Sequence, residues 1–431
     1  MTNKSLKLLG LTAIISIAGC NLDKTNPNAP TQDAIFADRQ GIVSLSIGLQ
    51  ARYGSGMSSF IFPGGLISDE MGTPAGALQS YKDAEIGSLA DTYDAVELPW
   101  RSHYQTIKTA NDLISNAGKV ALGDETLSGI LSLSYLLKAA SLSDLIQQYQ
   151  QVIINPEAAT TTFAARGPAL TYILGLLDTA QVQANRFGAR TEFDGSIVAK
   201  GFSLKNTILA MQARNQRIAK NWPAALSAAN AVDTSVISVI PFSAQATNPV
   251  FDVSITNVRP RDTLRFAAET GDARVPFHIS GATVQGTIRP IRTFTQYAVN
   301  TNPIAVYWPG EIMLIRAEAY ANTGQLVLAA QMVNYVRTRC GGAANQPKAC
   351  LQPVVLTTQD QIIAEIYKQR KFELFATGLR WEDVRRQGLV SATSAFAKRC
   401  WLLYPNSERN TSATVPQNPV DPPSAFSSCG V

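Results

Sequence analysis

The chain has 431 residues, of which 45% are hydrophobic and 16% charged, and its 37 basic and 32 acidic side chains give a net charge of +5. This composition indicates a globular protein and excludes a disordered or fibrous one. The densest basic run, Lys368 to Arg386, is interleaved with acidic residues. A nucleic-acid interface needs an uncompensated basic stripe, so we expect no nucleic-acid partner.

The first 33 residues are predicted to be an export and anchoring segment. Lys4 and Lys7 precede an apolar run, residues 8–18, that is too short to span a bilayer and is typical of a signal peptide. The run ends in an Ile-Ala-Gly-Cys sequence at Cys20, which resembles the lipobox of bacterial lipoproteins. We therefore predict a signal peptide over residues 1–19, lipidation of Cys20 and a tether over residues 20–33. The lipid would hold the protein on a membrane.

The remaining residues, 34–431, are predicted to form one mainly α-helical domain. Its helical scaffold comprises residues 34–232 and 303–388, in which apolar residues recur at helical spacing. Two stretches in this scaffold each combine a helix, a tight polar turn and a second alanine-rich helix, the pattern of tetratricopeptide (TPR) helical hairpins. Their matching residues are Ala213, Lys220, Ala225 and Ala228 in the first, and Ala317, Gly324, Ala329 and Ala330 in the second.

Two regions interrupt or follow this scaffold. Residues 233–302 contain many prolines and short β-branched runs, which predict an irregular insert of loops and a few short strands. A long irregular segment inside a compact chain is often functional. Residues 389–431 are rich in Pro, Asn and Ser and are expected to be extended, with the part after Tyr404 lying over the surface.

Four cysteines remain after the lipidated one, and an even number in an exported protein indicates disulfides. Four cysteines allow three pairings. We favour Cys340–Cys350 and Cys400–Cys429, because each pair closes a loop rich in Gly, Pro, Asn and Ser. Four free thiols are the alternative.

The sequence offers little for catalysis. His103 and His278 are the only histidines, and no HExxH, CxxC, Walker A, GxGxxG or GxSxG motif is present. We therefore predict no catalytic residue, no metal site and no cofactor. A glycosidase that uses only carboxylates is not excluded by this count.

A charged cluster near residue 375 is predicted to be structural. Arg370, Glu373, Arg380 and Asp383 carry opposite charges on two consecutive helices. If paired, they would hold the two helices together, and the arginines would keep the carboxylates ionised and unsuited to acid catalysis. We expect Arg380 to be the partner of Glu373 or Asp383.

The last third of the chain contains a series of motifs: Tyr307 to Tyr320, Asn322-Thr323-Gly324, Gln369 to Leu374, Gly378 to Asp383 with Arg386, and Tyr404 to Glu408. In this order they resemble SusD/RagB-like nutrient-uptake outer-membrane lipoproteins. The lipobox and the segment around Trp100 and Tyr104 also fit this family. The resemblance implies a SusD-like fold, in which the helical hairpins form the scaffold of a non-enzymatic binding protein.

The resemblance also implies a function. SusD-like lipoproteins sit on the outer membrane facing the cell surface, capture glycans or peptides and pass them to a SusC-like TonB-dependent transporter. Family members often place ligand contacts on loops between the first helices. The candidates here are Tyr81, Asp83, Tyr93 and Asp94, which could equally pack or face solvent. A second, weaker set in the irregular insert is Phe277, His278, Phe294 and Tyr297.

Two other functions remain open from the sequence. A TPR-type periplasmic assembly lipoprotein without a ligand would have the same helical hairpins, although it would not need the insert or the Arg-Trp-Glu-Asp motif at residues 380–383. A lipoprotein glycosidase would need two carboxylates roughly 5–10 Å apart across a cleft.

Most tryptophans lie in predicted helices, so we interpret all five as packing residues.

Overall fold

A computed structural model of the protein describes residues 31–158, 161–341, 345–419 and 423–431. The predicted signal peptide, the lipidation site Cys20 and most of the predicted tether lie outside these residues. The α-helices in the described ranges are α1 (Gln32–Ala37), α2 (Arg39–Ile67), α3 (Gln79–Ile86), α4 (Asp94–Asn116), α5 (Asp124–Ile146), α6 (Arg166–Asn185), α7 (Leu204–Ile218), α8 (Trp222–Ala231), α9 (Pro249–Thr256), α10 (Thr263–Ala267), α11 (Arg274–His278), α12 (Pro309–Asn322), α13 (Leu326–Thr338), α14 (Gln359–Glu373), α15 (Arg380–Arg386) and α16 (Asn406–Thr411). A 3-10 helix at Ala117–Lys119 and a π-helix at Phe193–Ile197 complete the helical elements of these ranges.

The strands in the same ranges are short and join loops rather than building a layer. They are β1 (Met71–Gly72), β2 (Gln151–Ile153), β3 (Phe163–Ala165), β4 (Val239–Ile240), β5 (Arg259–Pro260), β6 (Ile279–Val284), β7 (Ile291–Phe294) and β8 (Ile304–Ala305). They form antiparallel pairs, in which β1 pairs with β5, β2 with β3, β4 with β8 and β6 with β7. The prediction of a mainly α fold with a few short strands is confirmed.

Helix α5 is the central helix of the amino-terminal half. It packs against α2, α4 and α6. Its composition would allow it to cross a membrane, but 89% of its most apolar window is buried inside the protein. Its serines bond to neighbouring helices, as where the Ser132 hydroxyl donates to the Ala180 carbonyl of α6 at 2.7 Å. Helix α5 is therefore a core helix.

The two predicted helical hairpins are present and lie side by side. Helices α7 and α8 form the first, α12 and α13 form the second, and α12 also packs against α8. Each turn contains a residue with left-handed backbone geometry, Lys220 at φ +59° and Gly324 at φ +77°. Fully buried alanines, such as Ala213 and Ala317, let the helices approach closely.

The insert at residues 233–302 is irregular, as expected, but it contains three short helices that the sequence analysis did not predict. They are α9, α10 and α11. Helix α9 begins at Pro249, and the Asn248 side chain accepts hydrogen bonds from the amides of Val250 and Phe251. Proline is favoured in the first turn of a helix, so Pro249 starts a helix in a stretch where the prolines had predicted loops.

The carboxy-terminal segment is cross-linked within itself by a disulfide and packs against the rest of the domain through aromatic contacts. Disulfides join Cys340 to Cys350 and Cys400 to Cys429, the pairing that the sequence analysis favours. Tyr404 is fully buried, and its ring centroid lies 6.1 Å from that of Trp100. The beginning of this segment therefore packs into the core rather than over the surface.

Candidate functional site

The four residues predicted to bind a ligand lie on and next to helices α3 and α4. Tyr81 and Asp83 are on α3, Tyr93 immediately precedes α4, and Asp94 is its first residue. The Tyr93 hydroxyl donates a hydrogen bond to Asp83 Oδ2 at 2.8 Å. This hydrogen bond raises the pKa of Tyr93 above its usual value. The predicted loop residues are thus held by helices.

Tyr81 and Asp94 complete this surface. Tyr81 is half-buried and packs against the main hydrophobic core. Burial, and to a smaller extent the negative charge of Asp94, raises the pKa of Tyr81. We call these four residues the outer patch. It joins two phenol rings and two carboxylates, the groups that contact the CH faces and the hydroxyls of a sugar.

The second set of candidates, in the insert, is mostly part of the core. His278, Phe294 and Tyr297 are buried, whereas Phe277 is half-buried. His278 Nε2 lies 2.7 Å from the Phe372 carbonyl oxygen, and burial lowers the pKa of the His278 imidazole to about 4. These side chains are engaged in packing.

Arg370 and Asp383 form the expected link between α14 and α15, within a larger buried ion network. Arg370 Nε donates to Asp383 at 2.7 Å, and Arg217 of α7 lies 3.0 Å from the same carboxylate. Arg217 also bonds Glu318 of α12, which Arg386 contacts at 2.7 Å. Burial raises the pKa of Asp383, but the two guanidinium groups beside it outweigh burial and hold that pKa below its usual value.

The other two members of the predicted charge cluster differ from expectation. Glu373 pairs with Arg339 at 2.8 Å and with Arg274 at 3.6 Å. Arg380 is only 8% exposed, yet it has no carboxylate oxygen within 4.0 Å in the part of the chain that the structure describes. The predicted pairing of Arg380 with Glu373 or Asp383 is therefore wrong, because closer arginines from distant segments occupy both carboxylates.

Arg380 instead lines a cleft of about 180 Å³ between the end of α2, α10, α14 and α15. We call this space the basic cleft. Its charged and polar lining residues are Ser68, Asp69, Glu70, Thr263, Arg289, Lys371 and Arg380, and its apolar ones include Leu264, Phe375 and Phe396. Sequence reasoning missed Glu70 and Lys371. The one local signal is the Ser-Asp-Glu sequence at residues 68–70, which directly follows the long buried part of α2.

The acidic residues of the basic cleft differ in their partners. Asp69 lies 2.6 Å from Arg289 and 3.2 Å from Arg261, so it is paired. Glu70 Oε2 accepts a long hydrogen bond of 3.4 Å from the Ala376 amide, whereas Glu70 Oε1 is buried without a hydrogen bond in the described residues. Burial raises the pKa of Glu70 to about 8, although the nearby Arg380 acts to lower it.

The described residues contain no group of His, Cys, Asp and Glu side chains that could hold a metal ion.

Comparison with known proteins identifies this fold. Residues 288–420 match the SusD family model. The chain is similar to a SusD superfamily protein from Bacteroides thetaiotaomicron at 15% identity, with a TM-score of 0.69 over 88% of this chain and 99% of that chain. The chain has the SusD fold. It is also similar to NanU of B. fragilis, at 14% identity and a TM-score of 0.70 over 92% of this chain and 99% of that chain.

A third solved structure has the same fold. It is a SusD-like carbohydrate-binding protein from Bacteroides vulgatus, 14% identical, with a TM-score of 0.63 over 81% of this chain and 83% of that chain. No curated protein sequence matches the chain. The predicted resemblance to the SusD/RagB family is thus confirmed by the sequence match over residues 288–420 and by the fold over most of the chain.

Only some of the features described above lie in residues 288–420, the part of the chain that matches the SusD family model and that we call the SusD segment. Residues 288–420 contain α12 to α16, and hence most of the buried ion network together with Lys371 and Arg380 of the basic cleft. The outer patch lies outside the matched SusD segment.

Proposed function

We propose that this protein is a nutrient-binding lipoprotein of the outer membrane, which captures a glycan or a peptide and delivers it to a SusC-like TonB-dependent transporter. The observation that carries the proposal is the SusD fold, which is matched over 88% and 92% of the chain by two solved structures. One further neighbour is itself a SusD-like carbohydrate-binding protein. The protein acts here as a binding protein and not as an enzyme.

The proposed location rests on the amino-terminal sequence and the cysteines. Lipidation of Cys20 anchors the chain, and the segment up to α1 tethers the domain at the cell surface. Disulfides persist in oxidising compartments, so the Cys340–Cys350 and Cys400–Cys429 bonds support export from the cytoplasm.

The outer patch is the proposed contact surface for the captured ligand. The Tyr93 ring is partly exposed, and its hydroxyl is fixed by Asp83, so the ring is oriented before a ligand arrives. Such pre-organisation lowers the entropy that binding costs. Tyr81 offers less ring surface, because it packs against the core.

A glycan and peptide array with purified protein tests ligand capture. Tyr93→Ala should weaken binding of a recovered ligand several-fold, because an aromatic contact contributes roughly 1 kcal/mol. The matched control is Tyr335→Ala, since Tyr335 is 46% exposed on α13, far along the chain from the patch. Equal loss in both variants, or none in Tyr93→Ala, would remove the outer patch from the proposal.

Affinity purification from detergent-solubilised outer membranes tests delivery. A tagged wild-type protein should recover a large TonB-dependent β-barrel transporter, and the Cys20→Ala variant should be depleted from the membrane fraction. The paired hairpins α7–α8 and α12–α13 favour one alternative, a TPR-type periplasmic assembly lipoprotein without a ligand. Recovery of assembly proteins without a transporter, together with an empty array, would decide for that alternative.

A further inference from the structure

Two cations that line the basic cleft have no counter-ion among the residues that the structure describes. Lys371 is on α14, and Arg380 is the first residue of α15. Neither nitrogen group has a carboxylate oxygen within 4.0 Å in the described chain. Arg289, which also lines the cleft, differs from them because it is paired with Asp69 at 2.6 Å.

The two unpaired cations are held in an unfavourable setting. Burial lowers the pKa of both Lys371 and Arg380, and the positive charge of Arg380 lowers the pKa of Lys371 further. Arg380 is only 8% exposed. Buried charges in proteins are normally paired, because leaving one uncompensated is strongly destabilising. An external anion that enters the cleft would supply the missing partner.

The neutral polar groups of the cleft point to the same kind of ligand. Ser68 Oγ and Glu70 Oε1 are both buried and have no hydrogen-bond partner in the described residues. Because burial raises the pKa of Glu70 to about 8, its side chain is mainly a neutral carboxylic acid at pH 7. A hydroxyl and a protonated carboxyl can both donate hydrogen bonds. The unpartnered groups of the cleft can therefore donate hydrogen bonds to a ligand that carries acceptor atoms.

We propose that the basic cleft binds the carboxylate group of an acidic ligand, which Arg380 and Lys371 hold by charge and to which Ser68 donates a hydrogen bond. The planar guanidinium of Arg380 matches a planar carboxylate in a bidentate arrangement. A doubly charged phosphate is disfavoured, because the carboxylate of Asp69 also lines the cleft.

The size of the cleft and its edge leave room for the rest of a small ligand. The volume of about 180 Å³ exceeds that of a carboxylate, since one water molecule occupies about 30 Å³ in the liquid. Phe396 lines the cleft and is 42% exposed, so it offers an apolar face beside the charged groups. An acidic sugar and the carboxyl terminus of a short peptide both present this chemistry.

This assignment goes beyond the proposed function and does not depend on it. The basic cleft uses none of the four residues of the outer patch. The binding measurements below use neither the transporter nor the membrane. A failure to recover a transporter therefore does not bear on the cleft, and a failure of the cleft to bind a carboxylate does not bear on the transporter.

Isothermal titration of the purified wild-type protein at pH 6.5 tests the proposal with two matched probe pairs. The first pair is D-galacturonate and D-galactose, and the second is N-acetylalanine and its amide. In at least one pair we expect the carboxylate to bind at least about tenfold more tightly than its neutral counterpart, since charge-assisted hydrogen bonds are the stronger ones. Binding in the first pair identifies an acidic sugar, and binding in the second identifies a peptide terminus.

Substitutions then assign that binding to the cleft. Lys371→Met and Arg380→Met should each weaken binding of the preferred carboxylate about tenfold or more. The matched controls are Lys205→Met and Arg186→Met, which remove exposed cations from α7 and from the end of α6 and should leave binding unchanged. Lys371 is less buried than Arg380, so its variant keeps the test valid if Arg380→Met does not fold.

Four results would overturn the proposal. The first is the absence of binding by either carboxylate probe at about 50 mM, well above the millimolar range of weak ligands. The second is equal binding of the charged and neutral members of both pairs. The third is a carboxylate affinity that Lys371→Met does not change. Inorganic phosphate that binds more tightly than either carboxylate would also overturn it, because the site would then be specific for a dianion.

Discussion

The buried ion network gives a sharp test of how the SusD segment is held together. Asp383 is 1% exposed and accepts hydrogen bonds from Arg217 at 3.0 Å and from Arg370 at 2.7 Å. Arg370 has no other ion pair within 4.0 Å in the described residues. Asp383→Ala therefore leaves one buried guanidinium without a partner and a second with only Glu318.

Removing one partner of a buried ion pair typically costs about 3–5 kcal/mol. Unfolding entropy is about 2.1 cal/mol/K per residue, or roughly 0.8 kcal/mol/K for a domain of about 400 residues, so Asp383→Ala should lower Tm by about 4–6 °C. Calorimetry and urea unfolding measure the change. The control is Asp194→Ala, because Asp194 is 46% exposed and lies 3.5 Å from Arg190. A surface pair contributes about 0–1 kcal/mol, so this variant should melt within about 1 °C of the wild type.

The comparison also has a clear contrary result. If Asp383→Ala melts like Asp194→Ala, the buried pairs contribute no more than a surface pair and the network does not stabilise the fold. If Asp383→Asn melts like the wild type although Asp383→Ala does not, the shape and hydrogen bonding of the side chain matter and its negative charge does not.

Three further predictions concern the anchor, the thiols and the pH dependence of stability. Cys20→Ala should abolish membrane association, because the lipid is the proposed anchor; mutant protein that stays in the membrane fraction after a high-salt wash would contradict this. Alkylation of the non-reduced mature chain followed by mass spectrometry should label no cysteine, since the four that remain are bonded in two pairs; two or more labels would refute it. The fold favours protonated Glu70, whose pKa rises from 4.5 to about 8, so its contribution to stability is full below pH 4.5 and is lost as pH rises towards 8. Between pH 5 and 9 the Tm of the wild type should therefore fall further than that of Glu70→Gln. Parallel curves of Tm against pH would mean that Glu70 is ionised throughout this range. The charged groups that act on Glu70 are Arg380, Lys371 and Asp383.

The sequence by itself determines the features that depend on neighbouring residues. The helical hairpins follow from apolar spacing and alanine content. The sequence favours the observed disulfide pairing, because each bond closes a polar loop, with sequence separations of 10 and 29 residues. These signals are local, because helix formation and loop closure each involve residues close in the chain.

Only the tertiary structure decides which charges meet. The sequence spacing suggests that Asp383 pairs with Arg380, which is three residues away. In the structure, Asp383 instead forms ion pairs with Arg217 of α7 and Arg370 of α14. Arg380 then has no ion-pair partner in the described ranges and lines the cleft with Lys371 and Glu70. The basic cleft brings together segments around residues 70, 265, 289, 375 and 396, which no sequence periodicity relates. Its existence depends on how the helices pack, because an ion pair or an unpaired buried charge is defined by distance in space and not by spacing along the chain.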